Sequence, residues 1–265
     1  MVILITGASM GIGKAIAHHL TQLEHRVYGT SRQAFVEKVA FETLIMDVTS
    51  EQSVQEAIQA VVAKEGRLDV LINNAGLGII AALEEVPDEM IRRVFETNVW
   101  GLLRTCRAVL PTMRQQGSGL IINISSVAGM MGLPFRGIYS ASKAAVEILT
   151  ETLSIEARAF GVRVCSVLPG DVKTNINQNR LVAHSAETSP YRALVAQMNA
   201  QVNAEVANAD DPLYIAKIIE KILNSSAPKV HYIAGSPFQR FAVWLKHRLP
   251  SRLFERIVLR YYGIK

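Results

Sequence analysis

The sequence is poor in the residues that would mark a disulfide-stapled, metal-binding or membrane-spanning chain. Cysteine occurs twice in 265 residues, as Cys106 in an apparent helix and Cys165 in an apparent strand. Two isolated thiols with no Cys-x-x-Cys pair exclude a disulfide framework and a thiolate metal cluster, so both read as small buried hydrophobes. The six histidines show no ligand spacing, and no metal site is expected. No apolar run reaches the roughly 18 residues that a membrane-spanning helix needs. The first strand pattern begins at Val2 with neither a basic leader nor a small-residue cleavage site before it, which makes a reducing cytoplasm the expected compartment.

Acid is nearly missing from the last part of the chain. From Phe238 onward, Arg240, Lys246, Arg248, Arg252, Arg256, Arg260 and Lys265 face a single acid, Glu255. The tail therefore carries +6 of a chain total of +5, which leaves −1 for the rest. A nearly neutral body argues against nucleic acid as a partner, because such proteins carry their positive surface on the folded domain. After Pro250 and Ser251, a helix start, Leu253, Phe254, Ile257, Val258 and Tyr261 fall on one helical face and Arg252, Arg256 and Arg260 on another. Phe241, Trp244 and Leu245 make a shorter stripe beside Arg240, Lys246 and Arg248. Residues 238–265 thus read as a basic amphipathic helical extension. Two uses fit it: peripheral contact with a membrane, or packing on the body or a second subunit.

What the sequence has in quantity is alternation. VILIT, HRVYGTS, TLIMDV, LDVLINN, GLIINIS, VRVCSVL and KVHYIAG read as strands. Helical spacing runs between them over Ile12–Leu23, Ser53–Lys64, Asp88–Gln115, Tyr139–Phe160 and Pro212–Asn224. Strand and helix in turn require a mainly parallel sheet of about seven strands with helices on both faces, an α/β doubly wound architecture. No linker or repeat divides residues 1–237, which read as one domain. The polar stretch 175–208 follows a strand end and reads as a loop over the substrate.

Two motifs carry chemistry by position. TGASMGIG, Thr6 to Gly13, lies between the first strand and the first helix, where its glycines allow a tight turn and the helix N-terminus offers free N–H groups to a pyrophosphate. This is the Rossmann-type context of a dinucleotide site. An NAD site usually places an acid about 20 residues further on, but here the second strand ends in Thr30, Ser31 and Arg32. A hydroxyl followed by a guanidinium suits a 2′-phosphate, so NADP(H) is expected over NAD. In YSASK, Tyr139 and Lys143 stand four residues apart on one helical face. A phenol is a poor acid near neutrality unless a positive charge stands beside it, and this spacing supplies one.

In order, TGASMGIG, NNAG (Asn73–Gly76), NVWG (Asn98–Gly101), NISS (Asn123–Ser126), YSASK and the Pro169–Gly170 pair make residues 1 to about 235 resemble the short-chain dehydrogenases/reductases. The resemblance implies an enzyme in which Tyr139 gives a proton to a carbonyl oxygen while the cofactor gives hydride to its carbon. Lys143 is implied to assist Tyr139 and to hold the nicotinamide ribose. Ser126 is implied to hydrogen-bond the substrate oxygen, with Ser125 as its competitor, and Asn98 to serve a water-linked proton relay. Asn98 also reads as a buried amide that satisfies helix backbone. The implied cofactor contacts are Gly7, Ser9, Met10, Gly11, Ile12, Gly13, Ser31, Arg32, Asp47, Val48, Asn74, Ala75, Gly76, Tyr139, Lys143, Pro169, Gly170, Val172 and Thr174. Glu24 departs from the glycine that often follows the first helix in that family, which should alter the turn there.

The expected activity is NADP(H)-dependent interconversion of a ketone or aldehyde with an alcohol. Leu133, Pro134, Phe135, Leu181, Val182, Tyr191, Leu194 and Met198 are candidates for an apolar pocket lining, which favours a lipophilic steroid-, retinoid- or long-chain-like substrate over a sugar. His184 lies in the same region and reads as a solvated loop histidine. The rival reading is a non-catalytic dinucleotide-binding redox sensor on the same fold. A homo-oligomer, dimer or tetramer, through the long helices Asp88–Gln115 and Tyr139–Phe160 follows from the resemblance.

Overall fold

Among the described residues, nine runs rich in apolar and β-branched residues become strands: β1 Val2–Ile5, β2 Arg26–Ser31, β3 Glu42–Ile45, β4 Val70–Asn73, β5 Ile79–Ile80, β6 Gly119–Ile124, β7 Val162–Pro169, β8 Leu181–Val182 and β9 His231–Ala234. The computed structural model describes residues 1–173, 180–183 and 186–264. Seven of the strands form one parallel sheet in the order β3-β2-β1-β4-β6-β7-β9, and β5 pairs with β8 separately. Alternation along each strand sends Ile3, Ile5, Val70 and Ile72 to one face of the sheet and Val2, Leu4 and Leu71 to the other. On the first face lie α1 (Gly11–Gln22) and, much later in the chain, Leu213–Leu223. On the second lie α2 (Glu51–Glu65) and the two long helical segments. The chain leaves β1 toward β2 and β3, then returns to β4 on the other side of β1, and that reversal opens a crevice at the carboxyl ends of β1 and β4.

The long helices differ from their predicted extents. Spacing predicts one helix over Asp88–Gln115, but the structure has α3 (Asp88–Phe95), a π turn over Glu96–Trp100, and α4 (Gly101–Gln116). The Gly101 N–H donates to the Glu96 carbonyl, five residues back. α5 covers Gly137–Glu156, so it begins before Tyr139, and a separate 3-10 turn takes Arg158–Phe160. At the end of α1, Glu24 keeps the left-handed conformation that glycine would take, with φ of 60°. Its N–H donates to Thr21 O at 3.0 Å and that of His25 to Leu20 O at 3.2 Å, a Schellman cap with a carboxylic residue in the glycine position. The turn is therefore preserved, contrary to the expectation that Glu24 would alter it.

One of the remaining helices roofs the crevice. α6 (Arg192–Ala207) packs Val195, Met198, Val202 and Val206 against Ile80 and Ala82. α7 (Leu213–Leu223) leads into β9, after which the tail forms α8 (Pro237–Lys246) and α9 (Ser251–Tyr262). α8 starts with a capping box between Ser236 and Gln239. Tyr262, Val258 and Ile264 join the α6 cluster, so the tail packs on the body with part of its apolar surface. No helix among the described residues is long and apolar enough to cross a membrane.

Candidate active site

The crevice is a cleft of about 550 Å³. Its walls hold Gly7, Ser9, Met10, Gly11 and Ile12 from the first turn, Ser31 at the end of β2 with Arg32 just beyond it, and Asp47 and Val48 beyond β3. They continue through Asn74, Ala75 and Gly76 beyond β4, Ser125 and Ser126 beyond β6, Tyr139 and Lys143 of α5, and Pro169, Gly170 and Val172 at the end of β7. The predicted catalytic and cofactor residues are therefore brought to one place with three exceptions. Gly13 and Asn98 stand behind the wall as supports, and Thr174 lies outside the described residues, as does His184.

The glycine turn is built for close approach. Gly7 and Gly11 adopt positive φ, 67° and 56°. A Cβ at Gly13 would stand 2.4 Å from both the Gly7 carbonyl and Asn74 Nδ2, so only hydrogen fits there. Asn74 Nδ2 donates to the carbonyls of Thr6 and Gly7 at 3.0 and 2.9 Å, and Thr6 Oγ1 accepts from the N–H groups of Asn74 and Ala75, each at 2.9 Å. Asn74 thus braces the turn with its side chain while its backbone walls the cleft. Met10, at the N-cap of α1, makes no capping hydrogen bond with its side chain, and the first turn of α1 borders the cleft, where the backbone N–H groups of a helix N-terminus suit an anionic pyrophosphate. At the far end Asp47 Oδ1 accepts from Thr49 N and Oγ1 at 2.9 and 2.8 Å, while Ser50 caps α2.

On the reactive side, Lys143 is buried and its Nζ donates to the Ile124 carbonyl at 2.8 Å. An ammonium has three donors, so two are left for the cleft. Nζ lies 5.9 Å from the centroid of the Tyr139 ring. Ser126 Oγ accepts from Ala128 N at 3.1 Å, capping the following 3-10 turn, and its own proton has only a 3.5 Å contact with the Pro169 carbonyl. That hydroxyl is poised to donate elsewhere. Ser125 Oγ donates to the Lys143 carbonyl at 3.3 Å and so fastens the strand end to α5. Asn98 accepts from Leu77 N at 2.7 Å and donates to Leu77 O at 2.9 Å and to Ser142 Oγ at 3.0 Å. The π turn aims it inward, clamping the loop after β4 to the start of α5.

Several supporting residues escape sequence reasoning. Asn73 and Asn123 face each other in the β4–β6 register and share a hydrogen bond of 3.0 Å. Thr105 of α4 and Thr150 of α5 extend this buried chain to both helices at 2.6 and 2.8 Å. The signal available was the leading Asn of both NNAG and NISS. Gln239 of α8 donates to Asp171 Oδ2 at 2.6 Å and covers Gly170, whose Cβ would stand 1.8 Å from Gln239 Oε1. Arg136 and Arg180 also face the cleft, the first 5.8 Å above the Tyr139 ring. Burial, with Arg136 nearby, lowers the Arg180 guanidinium to about 10.

The expected pocket lining needs correction. Leu133, Phe135, Tyr191 and Met198 pack with each other under the roof, and Leu181 packs beneath β5. None of the eight predicted lining residues is among the described walls of the cleft, whose apolar members include Leu77, Ile79, Ile80, Val202 and Val206.

Known proteins with this arrangement are numerous. The profile of the short chain dehydrogenase family matches residues 1–184. The 3-ketodihydrosphingosine reductase of Bacteroides thetaiotaomicron is 38% identical, an alignment covering 100% of this chain and 98% of that one. A short-chain dehydrogenase/reductase from Burkholderia phymatum, solved with NAD, superposes with a TM-score of 0.81 at 28% identity over 93% of this chain and 92% of that one. ElxO, solved with NADP, gives 0.71 at 27% identity over 88% and 96%. The glycine turn, the Ser126–Tyr139–Lys143 side of the cleft and this match over most of the chain establish that it belongs to the short-chain dehydrogenase/reductase family.

Proposed function

We propose that the chain is an NADP(H)-dependent oxidoreductase that interconverts a ketone or aldehyde with the corresponding alcohol on a lipophilic substrate. The observation that carries this reading is the meeting of Ser126, Tyr139 and Lys143 in the cleft that the glycine turn opens into. A reduced nicotinamide, when bound, supplies the hydride. Tyr139 then holds the proton destined for the carbonyl oxygen, and Ser126 donates to the same oxygen through its loosely held hydroxyl. Lys143 supplies positive charge next to the phenol. Asn98 keeps the Leu77 loop and the start of α5 in register.

NADP(H) is favoured by Arg32, which is exposed at the end of β2 beside Ser31 with no acid at that strand end. Neighbours bind either dinucleotide, one NAD and another NADP, so the preference rests on this strand end. The apolar wall from Leu77 to Val206 supports a lipophilic substrate, and the Bacteroides relative is named for a keto compound. Arg136 and Arg180 suit an oxygen-bearing group on the same molecule. The test is Tyr139→Phe in a screen of lipophilic ketones and aldehydes that follows NADPH and NADH side by side. The variant should keep NADPH binding and lose at least about a hundredfold in turnover, the scale of general acid catalysis. Turnover equal to wild type would remove Tyr139 from the chemistry, and no turnover of any carbonyl by wild type would favour a dinucleotide sensor.

A further inference from the structure

Successive residues of α9 turn by about 100°, so its side chains fall into adjoining stripes. Phe254, Val258 and Tyr262 form the inner stripe: Phe254 and Tyr262 are buried, and Val258 joins Tyr262 in the cluster beneath α6. Leu253, Ile257 and Tyr261 form the next one and are exposed. Arg252, Arg256 and Arg260 form the stripe beyond that. α8 continues the uncovered surface, because Phe238 stacks on Tyr261 at 5.5 Å and Phe241 stacks on Trp244 at 5.7 Å, with all three α8 aromatics exposed. Six large apolar side chains thus lie open side by side. Around them stand Arg240, Lys246, Arg248, Arg252, Arg256 and Arg260, and the only acid on either helix is Glu255, which pairs with Arg252 at 3.3 Å.

We propose that this face of α8 and α9 docks on an anionic lipid bilayer, with the aromatic and aliphatic side chains in the headgroup–acyl boundary and the arginines on lipid phosphates. Charge selects this occupant. A second copy seated on the same face would set six cations against six with one acid of these helices each to offset them, and the acid of α6 that meets this face, Glu205, already accepts from the Tyr261 hydroxyl at 3.2 Å. Aromatic side chains with adjoining arginines on two short helices form a combination that a bilayer surface takes up as a whole. Tyr262 and Val258 of the inner stripe of α9 share a cluster with Val202 and Val206, which wall the cleft, so a docked chain has its roof next to the membrane. On the lipophilic-substrate reading above, this places the cleft beside the phase in which such a substrate dissolves.

The test is co-sedimentation of the full-length protein with vesicles of phosphatidylcholine alone and of phosphatidylcholine mixed with phosphatidylglycerol. The protein should pellet with the mixed vesicles only and be released by added salt. Arg256→Glu with Arg260→Glu should lower partitioning at least about tenfold, as should Trp244→Ala with Ile257→Ala. All four positions are uncovered, so melting temperatures should stay near wild type. Failure of the wild type to pellet with anionic vesicles overturns the proposal. So does unchanged pelleting of both variants. A changed sedimentation coefficient of Trp244→Ala with Ile257→Ala in the absence of lipid would assign the face to a second copy, and capture by polyglutamate without vesicle binding would assign it to an acidic protein; either result overturns it. If vesicles bind but do not raise turnover of a lipophilic ketone, docking stands and the substrate reading fails.

Discussion

Arg32 stands exposed where β2 opens into the cleft, with Ser31 and Gln33 beside it. A guanidinium there attracts a phosphate monoester and offers nothing specific to a ribose hydroxyl, whereas a carboxylate does the reverse. Arg32→Asp is expected to lower kcat/KM for NADPH by about tenfold to a hundredfold, since hydrogen bonds to a charged group contribute roughly 1.5–3 kcal/mol, and to raise that for NADH. Initial rates with both cofactors on one substrate check this, and an unchanged ratio would show that Arg32 does not read the cofactor. The residues that face the cleft were largely legible in the sequence, because each sits at a strand end or one helical turn from another. Asn98 was legible by resemblance, but its partner was not. Its bonds to both backbone groups of Leu77 join positions 21 residues apart and depend on a π turn that no side-chain spacing announces.

Helix ends show the same division between pattern and packing. Glu24 holds a left-handed conformation that is unfavourable for any residue with a Cβ by roughly 1–2 kcal/mol. Glycine would remove that strain and give back part of it as unfolded-state entropy. Glu24→Gly should therefore stabilise the fold by about 0.5–1 kcal/mol, read as a higher denaturant midpoint at constant m-value; a lower midpoint would mean that the Glu24 side chain contributes more than its backbone costs. The seven strands of the main sheet were legible because their apolar runs are short and lie between helical patterns, whereas the two-residue strands β5 and β8 are too short to show a pattern. The pairing of Asn73 with Asn123 was not, because register across the sheet is set by the crossover between them. In α9 the helical period was clear, yet two apolar stripes lie next to each other and periodicity cannot say which one the body covers. That choice is made by α6, whose Val202 and Val206 receive Tyr262.

At the scale of the molecule the two cysteines report on the integrity of both sheet faces. Cys106 packs in the α4 layer and Cys165 in the cluster under α1 and α7, and burial pushes each thiol up to about 12. Both should stay protonated and inert to a thiol reagent such as Ellman's in the native protein and react fully after unfolding. Rapid labelling of either in native buffer would show that its face opens locally. The expected division at 237/238 is crossed at two places: Tyr262, Val258 and Ile264 pack in the α6 cluster, and a side chain of α8 reaches the mouth of β7. Gln239 belongs to α8, yet it covers Gly170 and grips Asp171 at the mouth of β7. Shortening the chain stepwise from its C-terminus should consequently lower turnover first as the cut removes Tyr262 from beneath α6 and again as it passes this glutamine, so that the appendage cannot be traded between relatives as a detachable module.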